Sequence, residues 1–508
     1  KSAMPIGCTL PPKKTSKELI ESSYKAEAFG FNTVGWTAFV FGLIVVFCMP
    51  ELPRYLFCIN QYLREIKLPR NKKKNMKNSP QRRSFFKKSI VLAGAFSSGS
   101  LFNQLYAGDF EKKANLYKDL SPAEIASNED YWSLIQQAYP ASSSPVLNLN
   151  NGGVSPSPQL VLDAVDRYDK MANMAPSYYM WRILDQGREP LREKLALLGG
   201  CDPEEIAINR NATEALNTII HGLDLNRGDE VIGSIQDYPN MMNAWKQRAL
   251  REGIVYKQLS FDFPIEDDET IVDMYRQAIS SKTKIIHVTH VINWVGQIMP
   301  VKKICQMAHE EGIEVIVDGA HSFGLLDFNI PDLEADYFGT SLHKYLSAPI
   351  GTGMMWIKKE HIAKVWPLLC DADPVRDDIR KFETLGTRSF PLEQGIGEAI
   401  NFHNGIGKKR KEERARYLKN YWAERALKIP GVNIHTSLKP AYSCAIAGVS
   451  IDAMTPRVLE STLLKTYKIH TSPISYENIN VVRVSPHVYT RPTDLDRLVN
   501  ALEELAKK

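Results

Sequence analysis

The stretch TKIIHVTHVINWVGQIMPVKKICQMAHEEGIEVIVDGA, residues 283–320, carries the pattern of a strand, a helix and a second strand. Its two ends are short apolar runs rich in β-branched residues, and the segment VKKICQMAHEEG between them has the apolar spacing of a helix. Two strands joined through a helix form a βαβ unit, in which the strands lie parallel in one sheet. We therefore predict a parallel sheet with helices on its faces.

The same alternation continues on both sides of this stretch, because helix-like segments fill many of the intervals between further β-rich runs. These runs lie at residues 205–209, 230–235, 254–260, 337–342 and 351–358. We predict an α/β fold in which a large domain, residues 151–385, holds a mainly parallel seven-stranded sheet between helices. Near residue 385 the pattern changes to a long charged helical stretch, which predicts a smaller C-terminal α/β domain at residues 386–508.

The formal net charge of +5 is unevenly distributed along the 508 residues. Residues 1–107 contain 17 Lys and Arg against 5 Asp and Glu, a net charge of +12, so residues 108–508 carry 5 − 12 = −7. A body with a net negative charge argues against nucleic-acid binding. After the basic leader we predict a polar, partly helical segment at residues 108–150.

The leader contains two targeting signals. Residues 28–50 are uncharged and precede a lysine-rich run, which is the pattern of a membrane-spanning helix. Residues 76–107 resemble a twin-arginine (Tat) export signal peptide, with Arg82 and Arg83 as the pair, and predict a periplasmic protein that uses the Tat machinery. Because such a signal belongs at the N-terminus, we interpret residues 1–75 as an upstream extension. The alternative is a membrane anchor through residues 28–50.

The seven cysteines indicate neither a zinc site nor a disulfide framework. Three lie in the leader and four in the body, and none of the body cysteines forms a C-x-x-C pair. We therefore predict no metal site.

Polar residues follow several of the predicted strands, where ligands of open parallel sheets bind. Thr213 stands at a helix start that could hold a phosphate or simply cap the helix. Tyr238 follows the predicted strand at residues 230–235, and its side chain could stack on a flat ring. Asn293 follows the predicted strand that begins at residue 283 and supplies an amide hydrogen-bond donor. Asp318 ends an apolar strand, three residues before His321, and its carboxylate could pair with a protonated ring nitrogen.

Lys344 lies in GTSLHKYLSAPIGTG, residues 339–353, a segment poor in other charges. A lysine here is either part of a surface turn or an amine held in an apolar pocket to form a Schiff base. An aspartate for a ring nitrogen, a lysine, a phosphate-binding helix start and an aromatic cover together indicate a pyridoxal 5'-phosphate pocket.

Residues 145–505 resemble the class V aminotransferase family of fold-type I pyridoxal phosphate enzymes. The resemblance rests on motifs that occur in the order of that family, and within the family the sequence resembles the isopenicillin N epimerase-like branch. The motifs are NATEALN, THVINWVGQIMPV, VDGAHSFG, SLHKYLSAPIGTGMMW, FETLGTRSF and VVRVSPHVY.

The resemblance implies a role for each matching position. It makes Lys344 the catalytic Schiff-base lysine and general base, and Arg483 the residue that binds the carboxylate of an amino-acid substrate. It also implies a homodimer with active sites at the subunit interface, because Thr387 would reach the phosphate from a second subunit. The implied cofactor-binding residues are Ala212, Thr213, Tyr238, Asn293, Asp318, His321, Ser341, His343, Lys344 and Thr387.

Several activities remain open at this point. An epimerase, an aminotransferase and a lyase share these motifs, and a catalytically silent binding protein on the same fold is a further alternative. A cysteine desulfurase needs a cysteine shortly before the substrate arginine, whereas this sequence has Ser472 and Pro473 there. Candidate contacts for the substrate side chain are Tyr178, Trp181, Trp294, His487 and Tyr489.

Overall fold

The computed structural model describes residue 117, residues 119–452 and residues 454–507. The predicted membrane segment at 28–50 and the predicted export signal at 76–107 lie outside the described residues. Within those described ranges, no helix combines the length and the apolar character that crossing a bilayer requires.

The helices follow the amphipathic segments of the sequence. Many begin at residues suited to that position, such as Asn211 and Thr455, whose side chains accept a backbone N–H of the first turn. In chain order the α-helices are α1 (Pro122–Ala126), α2 (Glu129–Gln137), α3 (Gln159–Met174), α4 (Pro176–Tyr179), α5 (Arg188–Gly199), α6 (Ala212–Gly222), α7 (Pro239–Glu252), α8 (Asp268–Ala278), α9 (Val301–Glu310), α10 (Phe390–Ile406), α11 (Lys408–Ala426), α12 (Pro456–Tyr467) and α13 (Pro492–Ala506).

The strands form a large and a small sheet, with one additional pair. In chain order they are β1 (Leu147–Asn148), β2 (Ile206–Asn209), β3 (Glu230–Ser234), β4 (Val255–Leu259), β5 (Thr283–Thr289), β6 (Glu314–Asp318), β7 (Tyr337–Ser341), β8 (Gly353–Ile357), β9 (Val432–Ile434), β10 (Ala447–Ile451), β11 (Ile469–His470), β12 (Ser472–Tyr476) and β13 (Ile479–Val484).

The large sheet has seven strands in the order β2, β8, β7, β6, β5, β3, β4. Neighbouring strands from β7 to β4 pair in parallel, and β8 is antiparallel to both of its neighbours. Each of the seven predicted runs supplies one strand. The predicted α/β fold with a mainly parallel seven-stranded sheet is therefore confirmed.

Helices cover both faces of this sheet, which explains why its central strands are almost continuously apolar. One face packs against α6 and α7 through side chains such as Leu216 and Trp245. The other face packs against α5, α8, α9 and α10 through side chains such as Leu195, Ile304 and Ile400. By this packing α10 lies with the core of the large sheet, and the predicted domain boundaries stay predictions.

The C-terminal region has its own antiparallel sheet, in the order β12, β13, β10, β9. Helices α11, α12 and α13 cover it with a core that includes Trp422, Leu463 and Leu498. The short strand β1 joins this region, because it pairs in parallel with β11. The segment that carries β1, just before the large domain, therefore lies beside the C-terminal region. Asn150, two residues after β1, also bridges to Ser485 at the end of β13.

A buried ion cluster connects α5 to the segment that precedes Thr387. The Glu383 carboxylate accepts hydrogen bonds from Arg188, at 2.9 Å, and from Arg192, at 2.8 Å. It also accepts the backbone N–H of Ile208 in β2 at 2.7 Å. The two guanidinium groups donate in addition to the carbonyls of Ile206 and Ile208. These charge-assisted bonds satisfy a carboxylate that is shielded from water.

Candidate active site

A cavity of about 480 Å³ lies beyond the carboxyl ends of the parallel strands. Residues from β5, β6 and β7 reach it, together with the start of α6 and a side chain from β13. Almost every predicted site residue is in its wall. Those that line the cavity are Ala212, Thr213, Tyr238, Asn293, Asp318, His321, Ser341, His343, Lys344 and Arg483.

The start of α6 forms one end of the cavity. Asn211 caps this helix by accepting the Glu214 N–H at 2.9 Å. Thr213 is therefore not the residue that caps the helix. Backbone N–H groups and the helix dipole make this end attractive to an anion such as a phosphate. Gly353 of β8 allows the backbone at the start of α6 to lie this close to the sheet, because a Cβ at residue 353 would lie 2.6 Å from the Cα of Asn211.

Ser341 and His343, two of the predicted cofactor-binding residues, also have protein partners. The Ser341 hydroxyl accepts the N–H of Ala212 at 2.9 Å, which leaves its own hydrogen free to bind a ligand. His343 donates from Nδ1 to the carbonyl of Thr352 at 2.9 Å, so it can donate to a phosphate only as imidazolium. Burial lowers the pKa of His343, and a bound anion would oppose that effect.

Lys344 directs its amine towards His321 inside the cavity. The distance from Lys344 Nζ to His321 Nε2 is 3.1 Å, and the same ring nitrogen lies 2.7 Å from the carbonyl of Gly152. Because a carbonyl only accepts, Nε2 carries the hydrogen, and an uncharged amine is the compatible neighbour. Burial lowers the pKa of Lys344 to about 8; the charge of Asp318 opposes this shift and that of Arg483 adds to it.

Asp318 forms the floor of the cavity at the end of β6. Its side chain is 3% exposed and accepts the N–H of Ala320 at 2.9 Å. Burial raises the pKa of this carboxyl group, while the backbone hydrogen bond and the charges of His287 and Lys344 lower it. With one backbone donor, the carboxylate keeps capacity for another, and a protonated ring nitrogen in the cavity would fit it.

Asn293 and Tyr238 stand on other walls of the cavity. The Oδ1 atom of Asn293 is buried and has no hydrogen-bond partner within the described part of the chain. Because Asn293 lines the cavity, this oxygen has capacity for a hydrogen bond from a ligand. Tyr238 is 40% exposed, so its ring is available to cover a flat ligand.

Arg483 reaches the cavity from β13 and is held by two acceptors. It donates from Nη1 to the backbone carbonyl of Asn293 at 3.0 Å and from Nη2 to the side chain of Asn150 at 2.6 Å. Two of its five N–H groups are used, which leaves three for a ligand carboxylate. Burial lowers the pKa of the guanidinium, but the ordinary pKa of arginine is so high that the group stays charged.

A family model described as aminotransferase class-V matches residues 147–498. The chain belongs to this family. The isopenicillin N epimerase of Amycolatopsis lactamdurans is 28% identical over 381 residues, which cover 71% of this chain and 96% of that protein. A probable cysteine desulfurase of Halalkalibacterium halodurans is 27% identical over 389 residues, which cover 72% of this chain and 94% of that protein.

The fold of this class V protein also matches solved structures. One is a C-DES mutant with glycine covalently linked to its PLP cofactor, with a TM-score of 0.66 and 21% identity. The similarity covers 73% of this chain and 99% of that one. The predicted fold-type I architecture and the resemblance to class V and its epimerase-like branch are thereby confirmed.

The class V site contains residues that the sequence analysis did not assign. Asp237 is fully buried next to the cavity and accepts the Thr289 hydroxyl and the Ser234 N–H, both at 2.7 Å. Burial raises its pKa to about 6. Asn150, which holds Arg483, was also missed. Asp237 and Thr289 stand at strand ends, so the rule that found Tyr238 and Asp318 could have found them.

Five predicted contacts are absent from the cavity wall. Thr387 does not line the cavity of its own chain, and its predicted role from a second subunit stays a prediction. Tyr178 is 57% exposed outside the cavity, and Trp181 packs against Phe390. His487 and Tyr489 are buried in a separate aromatic cluster, whereas Trp294 does line the cavity.

Proposed function

We propose that this class V protein is a pyridoxal phosphate-dependent enzyme that acts at the α-carbon of an amino acid, in the manner of an isopenicillin N epimerase-like enzyme. The cofactor is pyridoxal 5'-phosphate. The observation that carries the proposal is the meeting of Lys344, Asp318 and Arg483 in one cavity. A catalytically silent binding protein would have no need to keep all three.

The walls of the cavity offer a site for each part of the cofactor. The start of α6 and Ser341 would hold its phosphate, Asp318 its ring nitrogen and Tyr238 one face of its ring. When bound, pyridoxal phosphate supplies an electron-withdrawing ring that acidifies the α-carbon of the attached amino acid.

The substrate is oriented and deprotonated by this chain's own side chains. Arg483 would grip the substrate carboxylate with its free N–H groups, a task for which the planar guanidinium is suited. Lys344 would take the α-proton, because an amine with a pKa of about 8 is a competent base near neutral pH. Epimerisation needs a proton to reach the opposite face of the α-carbon from an acid on that side, whereas transamination returns no proton to that carbon.

One feature of the cavity favours this proposal over a cysteine desulfurase. A desulfurase needs a cysteine in the segment shortly before the substrate arginine. In this chain that segment contains Ser472, on β12, and Ser472 lines the cavity. None of the cysteines in the described ranges is among the lining residues, and Cys444 is buried elsewhere. Relatives named desulfurases remain as similar as the epimerases, so the assay must separate the two.

The test is a screen of D- and L-amino acids with the purified, cofactor-loaded protein in heavy water. Exchange of the α-proton together with racemisation supports the epimerase, and keto acid formed with amine transfer supports the aminotransferase instead. Release of sulfide from cysteine would support the desulfurase. Lys344→Ala is the matched control and is expected to lose exchange. A colourless wild-type protein that takes up no cofactor would overturn the proposal.

We propose further that the enzyme is a homodimer that shares its active sites. The exposed Trp181 ring lies 5.8 Å from the Arg388 guanidinium, next to Thr387 in the chain, and the apolar side chains of Tyr178 and Ile183 near it in sequence are also exposed. Mixing Lys344→Ala with Thr387→Ala subunits tests this proposal, because a Thr387 that acts across the interface would regenerate one intact site. A monomer in solution, or no recovery on mixing, would contradict it.

Export through the twin-arginine route is a proposal that rests on the sequence of residues 76–107 alone. That route carries folded proteins, so the cofactor could be loaded before export. N-terminal sequencing of the native protein is the test. A mature end near Gly108 supports export, and an intact residue 1 supports the membrane-anchored alternative instead.

A further inference from the structure

Lys411 is a buried lysine whose partners lie beside the active site. It stands in the first turn of α11, and its side chain is 2% exposed. Its Nζ atom makes a close hydrogen bond to the carbonyl of Tyr345 and lies 3.3 Å from His403 Nδ1. In the described part of the chain, no carboxylate lies within ion-pair distance of this amine. Burying an amine without an acid partner lowers the free energy of unfolding, so its presence here indicates a functional role.

The Tyr345 carbonyl belongs to the turn that carries Lys344. The Ser347 N–H closes this turn by donating to the carbonyl of Lys344 at 2.9 Å. Ser347 has a φ of 60°, a conformation that a serine adopts only when its surroundings enforce it. The backbone that aims the Lys344 side chain is therefore held in a strained shape.

A second anchor holds the same turn from the side away from the cavity. The Tyr139 hydroxyl donates to Ser347 Oγ at 3.1 Å, and His487 Nε2 lies 3.3 Å from the same oxygen. The Tyr345 ring stacks on His487 with an interplanar angle of 6°. The turn is thus fixed at Tyr345 by Lys411 and at Ser347 by Tyr139 and His487.

We propose that Lys411 is a positioning residue for Lys344: its bond to the Tyr345 carbonyl fixes the turn that aims the catalytic amine at the cavity. This inference rests on the proposed function, because it assigns to Lys344 the role of the reacting amine. Burying an unpaired amine does not favour folding, so its gain lies in geometry. Losing the bond lets the turn relax and moves the Lys344 amine away from its position beside His321.

The test is Lys411→Met, which keeps the shape of the side chain and removes the donor. We expect kcat to fall by about tenfold or more with KM almost unchanged, because small displacements of a reacting group cost large factors in rate. We expect the rate at which the apoprotein links covalently to pyridoxal phosphate to fall in parallel. The thermal midpoint is expected to change little, because removing a buried amine that has no acid partner offsets the loss of this donor to the Tyr345 carbonyl.

Lys419→Met is the matched control on the same helix. Lys419 is also buried and donates to a backbone carbonyl, that of Ser437 at 2.9 Å, but it lies apart from the catalytic turn. It is expected to leave kcat and the linkage rate unchanged. Lys411→Arg restores a donor and is expected to recover part of both rates.

Tyr139→Phe provides a second, milder variant that removes only the hydroxyl bonded to Ser347. Its effect on kcat is expected to be non-additive with that of Lys411→Met, because both anchors act on one turn. The inference is overturned if Lys411→Met keeps wild-type kcat and linkage rate, or if Lys419→Met lowers them equally. A wild-type protein without colour or turnover would instead overturn the proposed function.

Discussion

The lowered pKa of Lys344 makes a quantitative prediction for the apoprotein. Linkage to pyridoxal phosphate requires the uncharged amine, and burial brings the pKa of Lys344 from 10.5 to about 8. This difference corresponds to about 3 kcal/mol against the ammonium form. At pH 7 about one-tenth of the Lys344 amine is then uncharged, compared with about 0.03% of an ordinary lysine.

The assay is the appearance of the visible absorption band after pyridoxal phosphate is added to apoprotein at a series of pH values. We expect the initial rate to rise about tenfold per pH unit below pH 8 and to level off above it. Lys344→Ala is the blank, because it cannot form the linkage. A rate that continues to rise to pH 10 would refute the lowered pKa.

Two variants separate the titration of Lys344 from that of the cofactor itself. The charge of Asp318 favours the ammonium, so Asp318→Asn is expected to move the midpoint to lower pH. The charge of Arg483 opposes the ammonium, so Arg483→Gln is expected to move it to higher pH. Shifts in the same direction, or no shift in either variant, would show that the cavity charges do not set this pKa.

Three further predictions concern substrate, stability and cofactor. Arg483→Lys is expected to raise KM by about tenfold or more with a smaller change in kcat, because lysine cannot offer two parallel N–H groups to a carboxylate; an unchanged KM in steady-state assays would contradict this. Glu383→Gln is expected to cost about 2–3 kcal/mol in urea unfolding, because it removes the charged acceptor of two buried guanidinium groups and leaves them only Glu393 and Glu189 as acid partners, whereas Glu214→Gln, from a more exposed pair, is expected to cost under about 1 kcal/mol. Gly353→Ala is expected to weaken pyridoxal phosphate binding in equilibrium titrations, since the added carbon would collide with Asn211, and wild-type affinity would refute that packing argument.

The large sheet could be predicted from the sequence because its signal is local. Each strand is a short run of β-branched and apolar residues, and each run appears in the structure as a strand. Parallel strands also end at a common edge, so Tyr238, Asp318 and Lys344 could be placed together without knowledge of the strand order.

Contacts between distant parts of the chain were beyond the reach of that reasoning. Asn150 holds Arg483 across 333 positions, and Lys411 reaches Tyr345 across 66. Asn150 lies beside the end of β13 through an isolated parallel bridge to Ser485, and Lys411 lies on a helix, so no periodicity of the sequence links either pair. The predicted aromatic contacts to the substrate were only partly right for a related reason. His487 and Trp294 look equally suitable in sequence, but their orientation depends on tertiary packing, and only Trp294 lines the cavity.

The ion cluster around Glu383 also affects how the large sheet ends. β2 is an outer strand, and its outward backbone groups would be free to pair with a strand of another molecule. Glu383 takes the N–H of Ile208, while Arg188 and Arg192 take the carbonyls of Ile208 and Ile206. Three charged side chains thus replace the missing neighbouring strand. Losing the Glu383 carboxylate would leave the Ile208 N–H without its acceptor, so this side chain completes the hydrogen bonding of an outer strand whose residues are all buried.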